Sequence, residues 1–551
     1  MRKPEVHHLL RWLDQYGEPL RQSIEKRRKR IVLGMSVFVF FASLVLTRLF
    51  QVMVLGEALE GTASPSFDTP MLHFSRADIV DRRGALIATS LPTVSVYANP
   101  KELLDPVNDA QKLVQMLPDI NQERLVRRLT SPKGFVWVKH HLTPTEQKAV
   151  LRLGIPGVYF QKTERRVYPN GALFAHVIGL TDIDNHGIAG AEKAFDDALS
   201  SSTEPIALSV DGPLQHAVRE ILIAGLEEFR AIGAAGLVID LETGEILSLV
   251  SLPDFDPNQV KAASPKEIFN RVTCAVFEPG SVAKILNTAF ALESGLVTIN
   301  TKFDASEPLH VGSFTIHDFH GLGRALTVAE ILTKSSNIGS AKIAMKIGAK
   351  AQQAFFKKLG LLSSLPFELC EIQAPLYPKP WNEIHAITIA YGHGIAFNPL
   401  HLAAAVGGII HKGLYHVPTI LKSNTVGSGR RILSEQVSRQ VCSLLRLVVT
   451  EGTSRKAEVK EYFVLGKTGS AEKVHGGHRG YRKDANICTF IGAFPDSAPR
   501  YLVYVLLDEP KATPRTFGYT SAGWNAAVVA ARVIERAGPI LGVLPVDVPA
   551  S

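Results

Sequence analysis

Cysteine is scarce in this sequence, which has only four in 551 residues: Cys274, Cys370, Cys442 and Cys488. Spacings this wide exclude the paired-cysteine pattern of a structural zinc site. An exported domain of this size does not need disulfide staples, so buried free thiols are favoured. Four cysteines can also pair in three ways, and the sequence does not choose among them.

Charge of one sign is not in large excess overall, because 60 basic residues face 52 acidic ones and the net charge is +8. The excess is local: residues 1–30 hold nine Lys/Arg against four acids. The basic run Lys26–Arg30 has no interleaved aromatic residues, which disfavours nucleic acid as a partner. A patch this local favours a membrane surface.

Long hydrophobic runs are also few, and the clearest is residues 31–55, whose only charge is Arg48. Roughly 20 helical residues cross a bilayer core, so this run predicts a transmembrane anchor. A cleaved signal peptide would have a shorter apolar region, and a core helix would not be apolar on all faces. Residues 55–75 carry acids and no Lys or Arg, so the N-terminus is predicted to be cytoplasmic and the remainder extracytoplasmic.

The exported part divides into two regions. The first shows short β-rich runs and helix-like stretches, which indicate an α+β domain. The second has an amphipathic helix at 214–233 ended by Gly233, strands within 234–253, 487–494 and 501–508, and a last helix over roughly 521–537. This order predicts a mostly antiparallel sheet covered by helices. The predicted boundaries are 1–30 basic segment, 31–55 anchor, 56–70 linker, 71–204 first region, 205–545 second region and 546–551 tail.

The stretch LGKTGSAEK at 465–473 contains GKT, the end of a phosphate-binding loop. Such a loop needs a glycine five residues before Gly466, where this chain has Glu461. The β-forming residues 462–465 favour a strand instead. The stretch is therefore interpreted as a strand carrying K-T-G.

A serine nucleophile is predicted at Ser281, at the start of an apolar-faced helix whose dipole favours a developing oxyanion. Lys284 lies three residues further on, on the same side, and can take the serine proton if it is neutral. Burial or a second cation, for which Lys467 is the candidate, would make it so. Alone, S-x-x-K is weak evidence, because it also fits a capping serine with a solvated lysine and recurs at Ser470 and Lys473.

Two further motifs make the pattern specific. Ser335 and Asn337 form the chain's one S-x-N, and 467–469 is its one K-T-G, so the three motifs occur in the order S-x-x-K, S-x-N, K-T-G. As a set they resemble those of the penicillin-binding transpeptidases and serine β-lactamases. Segments 76–84, 164–171 and 187–192 resemble the pedestal motifs of class B penicillin-binding proteins, and segments 209–215, 251–258, 270–281 and 391–403 resemble the transpeptidase domain.

Within class B, the chain most resembles the septal, cell-division transpeptidases. Three positions depart from the usual motifs: Ala77 where glycine is usual, Ser470 where threonine is commoner, and His401 where glutamine is usual. The resemblance implies a single transmembrane helix, an α+β pedestal domain at 71–204, and an α/β penicillin-binding transpeptidase domain at 205–545.

The resemblance implies acyl transfer through a serine acyl-enzyme, with no metal and no cofactor. Ser281 would attack the D-Ala-D-Ala bond of a stem peptide, Lys284 would act as base, and Ser335 would relay a proton to the leaving nitrogen. The backbone N–H groups of Ser281 and Ser470 would form the oxyanion hole. The expected substrate-binding residues are Asn337, Lys467, Thr468, Gly469 and Ser470.

The implied partners are stem peptides ending in D-Ala-D-Ala, β-lactams, the membrane, a polytopic septal glycosyltransferase and other division proteins. The implied location is the bacterial inner membrane at the septum, with the catalytic domain in the periplasm. Alternatives are an elongation-specific transpeptidase, a β-lactamase or β-lactam sensor, and a non-catalytic divisome scaffold. A zinc site in the loop 474–484, which has two histidines, is a further alternative to a solvated hairpin.

Overall fold

The structure is a computed structural model, and it describes residues 29–47, 75–312, 314–423, 425, 427–474 and 480–546. The chain divides into two compact units, Met1–His73 and Phe74–Ser551, which are described separately. The basic segment up to residue 28, the linker 56–70, tail residues 547–551 and loop residues 475–479 lie outside the described residues.

In the first unit, helix α1 spans Lys29–Thr47. Its 19 residues have a mean hydropathy of 2.1 and are exposed along their length, so the helix is long and apolar enough to cross a membrane. This agrees with the predicted single-pass anchor, of which residues 48–55 lie outside the described part of the chain.

The second unit begins with an α+β region built on a small sheet. Strand β2 pairs with β1, β3 and β4, all antiparallel, and β1 pairs in parallel with β7. Helices cover one sheet face through an apolar core that includes Val96, Leu113 and Leu125. The elements are β1 Ile79–Val80, β2 Leu86–Ala98, α2 Pro106–Met116, α3 Gln122–Leu129, β3 Val136–Leu142, α4 Pro144–Arg152, β4 Val158–Val167, α5 Ala175–Ile178, β5 Leu180–Thr181, β6 Gly187–Ala189, α6 Gly190–Ala194, α7 Asp196–Ser201 and β7 Ile206–Ala207.

The remainder of the second unit is an α/β region around a five-stranded sheet. Its elements are α8 Gly212–Glu228, β8 Gly233–Asp240, β9 Ile246–Leu252, α9 Pro265–Ile268, α10 Ala283–Glu293, β10 Lys302–Asp304, β11 Leu309–Val311, β12 Phe314–Ile316, β13 Ala325–Thr327, α11 Val328–Lys334, α12 Asn337–Ile347, α13 Ala349–Lys358, α14 Glu383–Ala390, α15 Pro399–Ile410, β14 Leu414–Tyr415, β15 Arg430–Arg431, α16 Glu435–Thr450, β16 Leu465–Val474, β17 Tyr481–Phe494, β18 Tyr501–Asp508 and α17 Ala526–Ile540.

The five strands run antiparallel in the order β16-β17-β18-β8-β9, so early and late segments of the chain are adjacent, as predicted. Helices α8 and α17 cover one face, and α10, α15 and α16 contribute to the core on the other. Because β18 is the central strand of a sheet that has helices on both faces, all eight of its residues are buried. This explains the unbroken apolar run from Tyr501 to Leu507 within it.

The prediction that Gly233 ends the helix at 214–233 is wrong, because this helix, α8, ends at Glu228 and Gly233 is the first residue of β8. The chain reverses at Arg230, which has a positive φ of 48°. Gly233 makes room for the side chain of Arg271, since a Cβ there would lie 2.3 Å from Nε of Arg271. The last helix also differs from its predicted range, since α17 begins only at Ala526.

All four cysteines are free thiols in the structure. Cys488 is buried and Cys274 and Cys442 are partly buried, in line with the favoured prediction. Cys370 is exposed, so burial was wrongly predicted for that residue.

A buried carboxylate ties the first region together. Glu192 is fully buried and accepts a hydrogen bond from Nε of Arg76 at 2.7 Å and from Nε of Arg166 at 2.6 Å. Glu192 therefore bridges two guanidinium groups that have almost no access to water, and Asp196 is a second anion for Arg76 at 2.6 Å.

Substitution Glu192→Gln should lower the free energy of unfolding by about 3–5 kcal/mol, because it leaves the buried guanidinium of Arg166 without an anion and leaves Arg76 with Asp196 alone. Denaturant unfolding of the full chain in detergent measures this. Asp119→Ala is the control: it breaks an ion pair with Lys139 whose carboxylate side chain is 76% exposed, and should cost about 0–1 kcal/mol. Equal effects of the two substitutions would contradict the role given to Glu192.

Candidate active site

Ser281 lies in a short 3-10 turn, Gly280–Val282, that leads into α10. The turn fits tightly between two other backbones. A Cβ on Gly280, whose φ is 50°, would lie 2.5 Å from the carbonyl oxygen of Ser470, and a Cβ on Gly392 would lie 1.9 Å from that of Gly280. Glycine at both positions thus lets the nucleophile loop lie against β16 on one side and against the segment at Gly392 on the other.

Lys284 lies one helical turn after Ser281 and is only 1% exposed. Its Nζ is 2.8 Å from Oγ of Ser281, 2.9 Å from the carbonyl oxygen of Ser335 and 2.7 Å from Oδ1 of Asn337. The carbonyl and amide oxygens can only accept, so they take two N–H groups. A neutral amine then has its lone pair left for the Ser281 hydroxyl, which is the arrangement a general base needs.

Electrostatics favour that neutral form. Burial lowers the pKa of Lys284 well below its ordinary value, and the positive charge of Lys467 lowers it further. The carboxylate of Asp318 acts in the opposite direction. The net shift is downward, which favours the neutral amine that a general base needs.

Ser335 joins the two lysines to the nucleophile. It ends α11 in a left-handed conformation, with φ of 62°. The Oγ of Ser335 donates to Oγ of Ser281 at 2.9 Å and accepts from Nζ of Lys467 at 3.2 Å. Nζ of Lys284 lies 3.1 Å from the same Oγ of Ser335. A proton can therefore pass between the lysines and Ser281 through one hydroxyl.

Lys467 reaches this cluster from the edge strand β16 and is also 1% exposed. Its Nζ donates to its neighbour's carbonyl, that of Thr468, at 3.1 Å, and to Oγ1 of Thr453 at 3.3 Å. Burial lowers the pKa of Lys467 to about 7. The two lysines thus lie close together, and each disfavours a positive charge on the other.

The other residues of the K-T-G strand have partners within the protein. Oγ1 of Thr468 lies 3.2 Å from Oγ of Ser454, which also accepts from the Thr468 N–H. Oγ of Ser470 accepts from the N–H of Ala522 at 2.9 Å and keeps its own proton to donate. A Cβ on Gly469 would lie 2.6 Å from the carbonyl oxygen of Pro279. Glycine here is therefore required by the nucleophile loop itself.

The structure brings together all eight residues that the sequence singled out. It adds Thr453, Ser454 and Asp318, which sequence reasoning missed because no motif marks them. Asp318 accepts from Oγ of Ser336 and from the N–H groups of Asn337 and Ile338. The roles of Thr453, Ser454 and Asp318 depend on which separate segments of the chain pack together in the fold.

Comparison with known proteins agrees with this geometry. The family model described as the penicillin binding protein transpeptidase domain matches residues 234–534, more than half of the chain, and that of the penicillin-binding protein dimerisation domain matches residues 73–211. The chain belongs to the penicillin-binding protein transpeptidase family. A dimerisation domain followed by a transpeptidase domain makes it a class B member, as its motifs predicted.

The similarity to known proteins extends over most of the chain. The probable peptidoglycan D,D-transpeptidase FtsI of Caulobacter vibrioides is 38% identical over 482 residues, 85% of this chain and 82% of that protein. The peptidoglycan D,D-transpeptidase FtsI of Escherichia coli is 30% identical, over 83% and 82%. The ampicillin complex of penicillin-binding protein 3 from Mycobacterium tuberculosis has the same fold, with a TM-score of 0.68 and 22% identity over 87% of this chain and 97% of that one. Family membership implies peptidoglycan as substrate and β-lactams as ligands.

The low pKa of Lys467 predicts a pH-dependent stability. Between about pH 7 and the ordinary lysine pKa of about 10.4, the unfolded chain binds the proton that the folded chain has lost, so this group's contribution to stability rises with pH. Lys467→Met removes the cost of burying the charge. The stability of this variant relative to the natural chain should be highest near pH 6 and decline towards pH 10, as denaturant unfolding at several pH values would measure.

Lys473→Met, on the same strand, is the matched control. Although burial lowers its pKa, hydrogen bonds to Asp508 and Glu509 raise the pKa of Lys473 overall. It stays charged from pH 6 to 10, so its substitution should destabilise the fold by a constant amount. A constant difference for Lys467→Met as well would mean that Lys467 keeps its ordinary pKa.

Proposed function

We propose that this protein is a peptidoglycan D,D-transpeptidase that cross-links stem peptides at the division septum through a serine acyl-enzyme. The observation that carries the proposal is the 2.8 Å contact between Oγ of Ser281 and Nζ of Lys284, a buried lysine whose pKa is strongly lowered. A serine paired with a neutral amine is an activated nucleophile.

In the first step, Lys284 takes the hydroxyl proton while Oγ of Ser281 attacks the carbonyl carbon between the two D-alanines. The N–H groups of Ser281 and Ser470 stabilise the oxyanion, each by about 2.7–4 kcal/mol. The C–N bond then breaks, and the proton returns through Ser335 to the leaving nitrogen. D-Alanine departs, and an ester on Ser281 remains.

In the second step, the amine of a neighbouring stem peptide attacks this ester. The amine loses a proton, a new C–N bond forms, and the Ser281 oxygen is released and protonated again. Neither step involves oxidation or reduction. Lys284 and Ser335 serve the same proton path in reverse.

Substrate binding is assigned to the remaining motif residues. Lys467, with the hydroxyls of Thr468 and Ser470, would hold the terminal carboxylate by charge-assisted hydrogen bonds. The Ser470 proton is suited to this because its oxygen already accepts from Ala522. A carboxylate beside Lys467 would also favour that lysine's charged form.

Asn337 would hold the amide of the donor peptide. Its Oδ1 accepts from Lys284 and its Nδ2 donates to the carbonyl oxygen of His317 at 3.0 Å. A side-chain amide has two donors and two acceptor positions. One N–H and one lone pair are therefore left for a substrate.

The septal role is proposed from the resemblance to division enzymes and from relatives named FtsI. The proposed arrangement is an anchor at 31–55 with a cytoplasmic N-terminus, a periplasmic pedestal at 71–204 and a catalytic domain at 205–545. A polytopic septal glycosyltransferase and other division proteins are the proposed partners. A fluorescent fusion distributed along the side wall would favour the elongation role instead.

Benzylpenicillin tests the catalytic proposal, because it should acylate Ser281 and remain bound. The full chain and Ser281→Ala would be incubated with the drug in detergent and digested for peptide mass spectrometry. The expected result is a stable adduct on the peptide containing Ser281, absent from the variant.

The Lys284→Met variant should react at least about 100-fold more slowly, since it lacks the base. An adduct lost within seconds would indicate a β-lactamase. No adduct on the folded natural chain would contradict the transpeptidase proposal and favour a scaffold.

A further inference from the structure

Asp318 lies on the loop between β12 and β13 and contacts the first turn of α12. One carboxylate oxygen accepts from Oγ of Ser336 at 2.6 Å, and the other accepts from the N–H groups of Asn337 at 2.5 Å and Ile338 at 3.0 Å. Oγ of Ser336 in turn accepts from the N–H of Gly339. One acid from a distant loop thus satisfies three donors in the S-x-N turn.

This turn needs external support. Ser335 has a positive φ of 62°, which costs a residue other than glycine about 1 kcal/mol or more. The loop holds the turn at a second point, since the carbonyl oxygen of His317 accepts from Nδ2 of Asn337. With Nδ2 fixed there, Oδ1 of Asn337 faces Nζ of Lys284. The loop therefore sets the positions of both Ser335 and Asn337 relative to the base.

Asp318 also carries the opposite charge to the lysines. The groups that face Lys284 are Lys467 from β16, Asp318 from this loop and His393 from the loop after α14. Burial and the charge of Lys284 together lower the pKa of His393, which disfavours its charged form. The negative charge of Asp318 raises the pKa of Lys284 against the lowering effects of burial and Lys467.

We propose that Asp318 is a positioning residue for the acyl transfer, which holds Ser335 and Asn337 in place and balances the charge of the two buried lysines. The proposal rests on the proposed function and deepens it. It assigns to the S-x-N motif a fourth residue that lies 17 positions before Ser335 in the sequence. Asp318 itself contacts neither the nucleophile nor the base in the structure's hydrogen bonds.

The test compares Asp318→Asn, Asp318→Ala and Asp304→Asn in the full chain in detergent. The second-order rate constant for acylation by a fluorescent penicillin would be measured from pH 5 to pH 10. Asp304 lies on β10, is fully exposed and accepts from Ser306, so its substitution removes an equal charge outside the site. Thermal unfolding of each variant controls for folding.

Asparagine at position 318 keeps an oxygen for the two backbone N–H groups, and the Ser336 hydroxyl can turn to accept. The loss of the negative charge lowers the pKa of Lys284 further. Because acylation needs neutral Lys284, the acid limb of the rate profile should move to lower pH by about one unit. Asp318→Ala also removes the positioning, and its plateau rate should fall about 100-fold. Asp304→Asn should match the natural chain.

An unshifted acid limb in Asp318→Asn, together with a rate within twofold of the natural chain in Asp318→Ala, would overturn the proposal. If Asp318→Ala does not fold, the position of the acid limb in Asp318→Asn decides the question alone. A natural chain that is not acylated at any pH would instead overturn the proposed function, and this inference would fall with it.

Discussion

The burial of two lysine side chains beside one serine is the constraint on which the rest of the site depends. Lys284 and Lys467 are each 1% exposed, and burying a charged ammonium group is costly. The site meets this cost by favouring neutral amines, which is also the state that can take a proton from Ser281. The same burial that would weaken the fold at low pH therefore gives the serine its reactivity.

Close backbone contact brings the cluster together. Gly280, Gly392 and Gly469 occupy positions where a side chain would collide with backbone atoms of another segment. As a result, the nucleophile loop lies directly against strand β16, whose alternation aims Lys467 towards Ser335. Three chain segments that are far apart in sequence are thus fixed within hydrogen-bond distance before any substrate binds.

Sequence reasoning predicted most of this architecture where the pattern was local. The strand-like runs within 234–253, 487–494 and 501–508 identified the sheet, and the three motifs identified Ser281, Lys284 and Lys467. It failed at Gly233, where a helix-ending residue could not be distinguished from one that makes room for Arg271. It also missed Asp318 and Ser454, because a hydrogen bond between segments leaves no periodic signal in either of them.

The protonation state of Lys284 tests the central claim most directly. Nuclear magnetic resonance of the chain with ¹³Cε-labelled lysine, with Lys284→Met to assign the signal, would follow its titration. The account predicts that Lys284 loses its proton with a midpoint well below the ordinary value of 10.5. A Lys284 signal that stays in the charged form up to about pH 9 and titrates near 10.4, as an exposed lysine does, would contradict it.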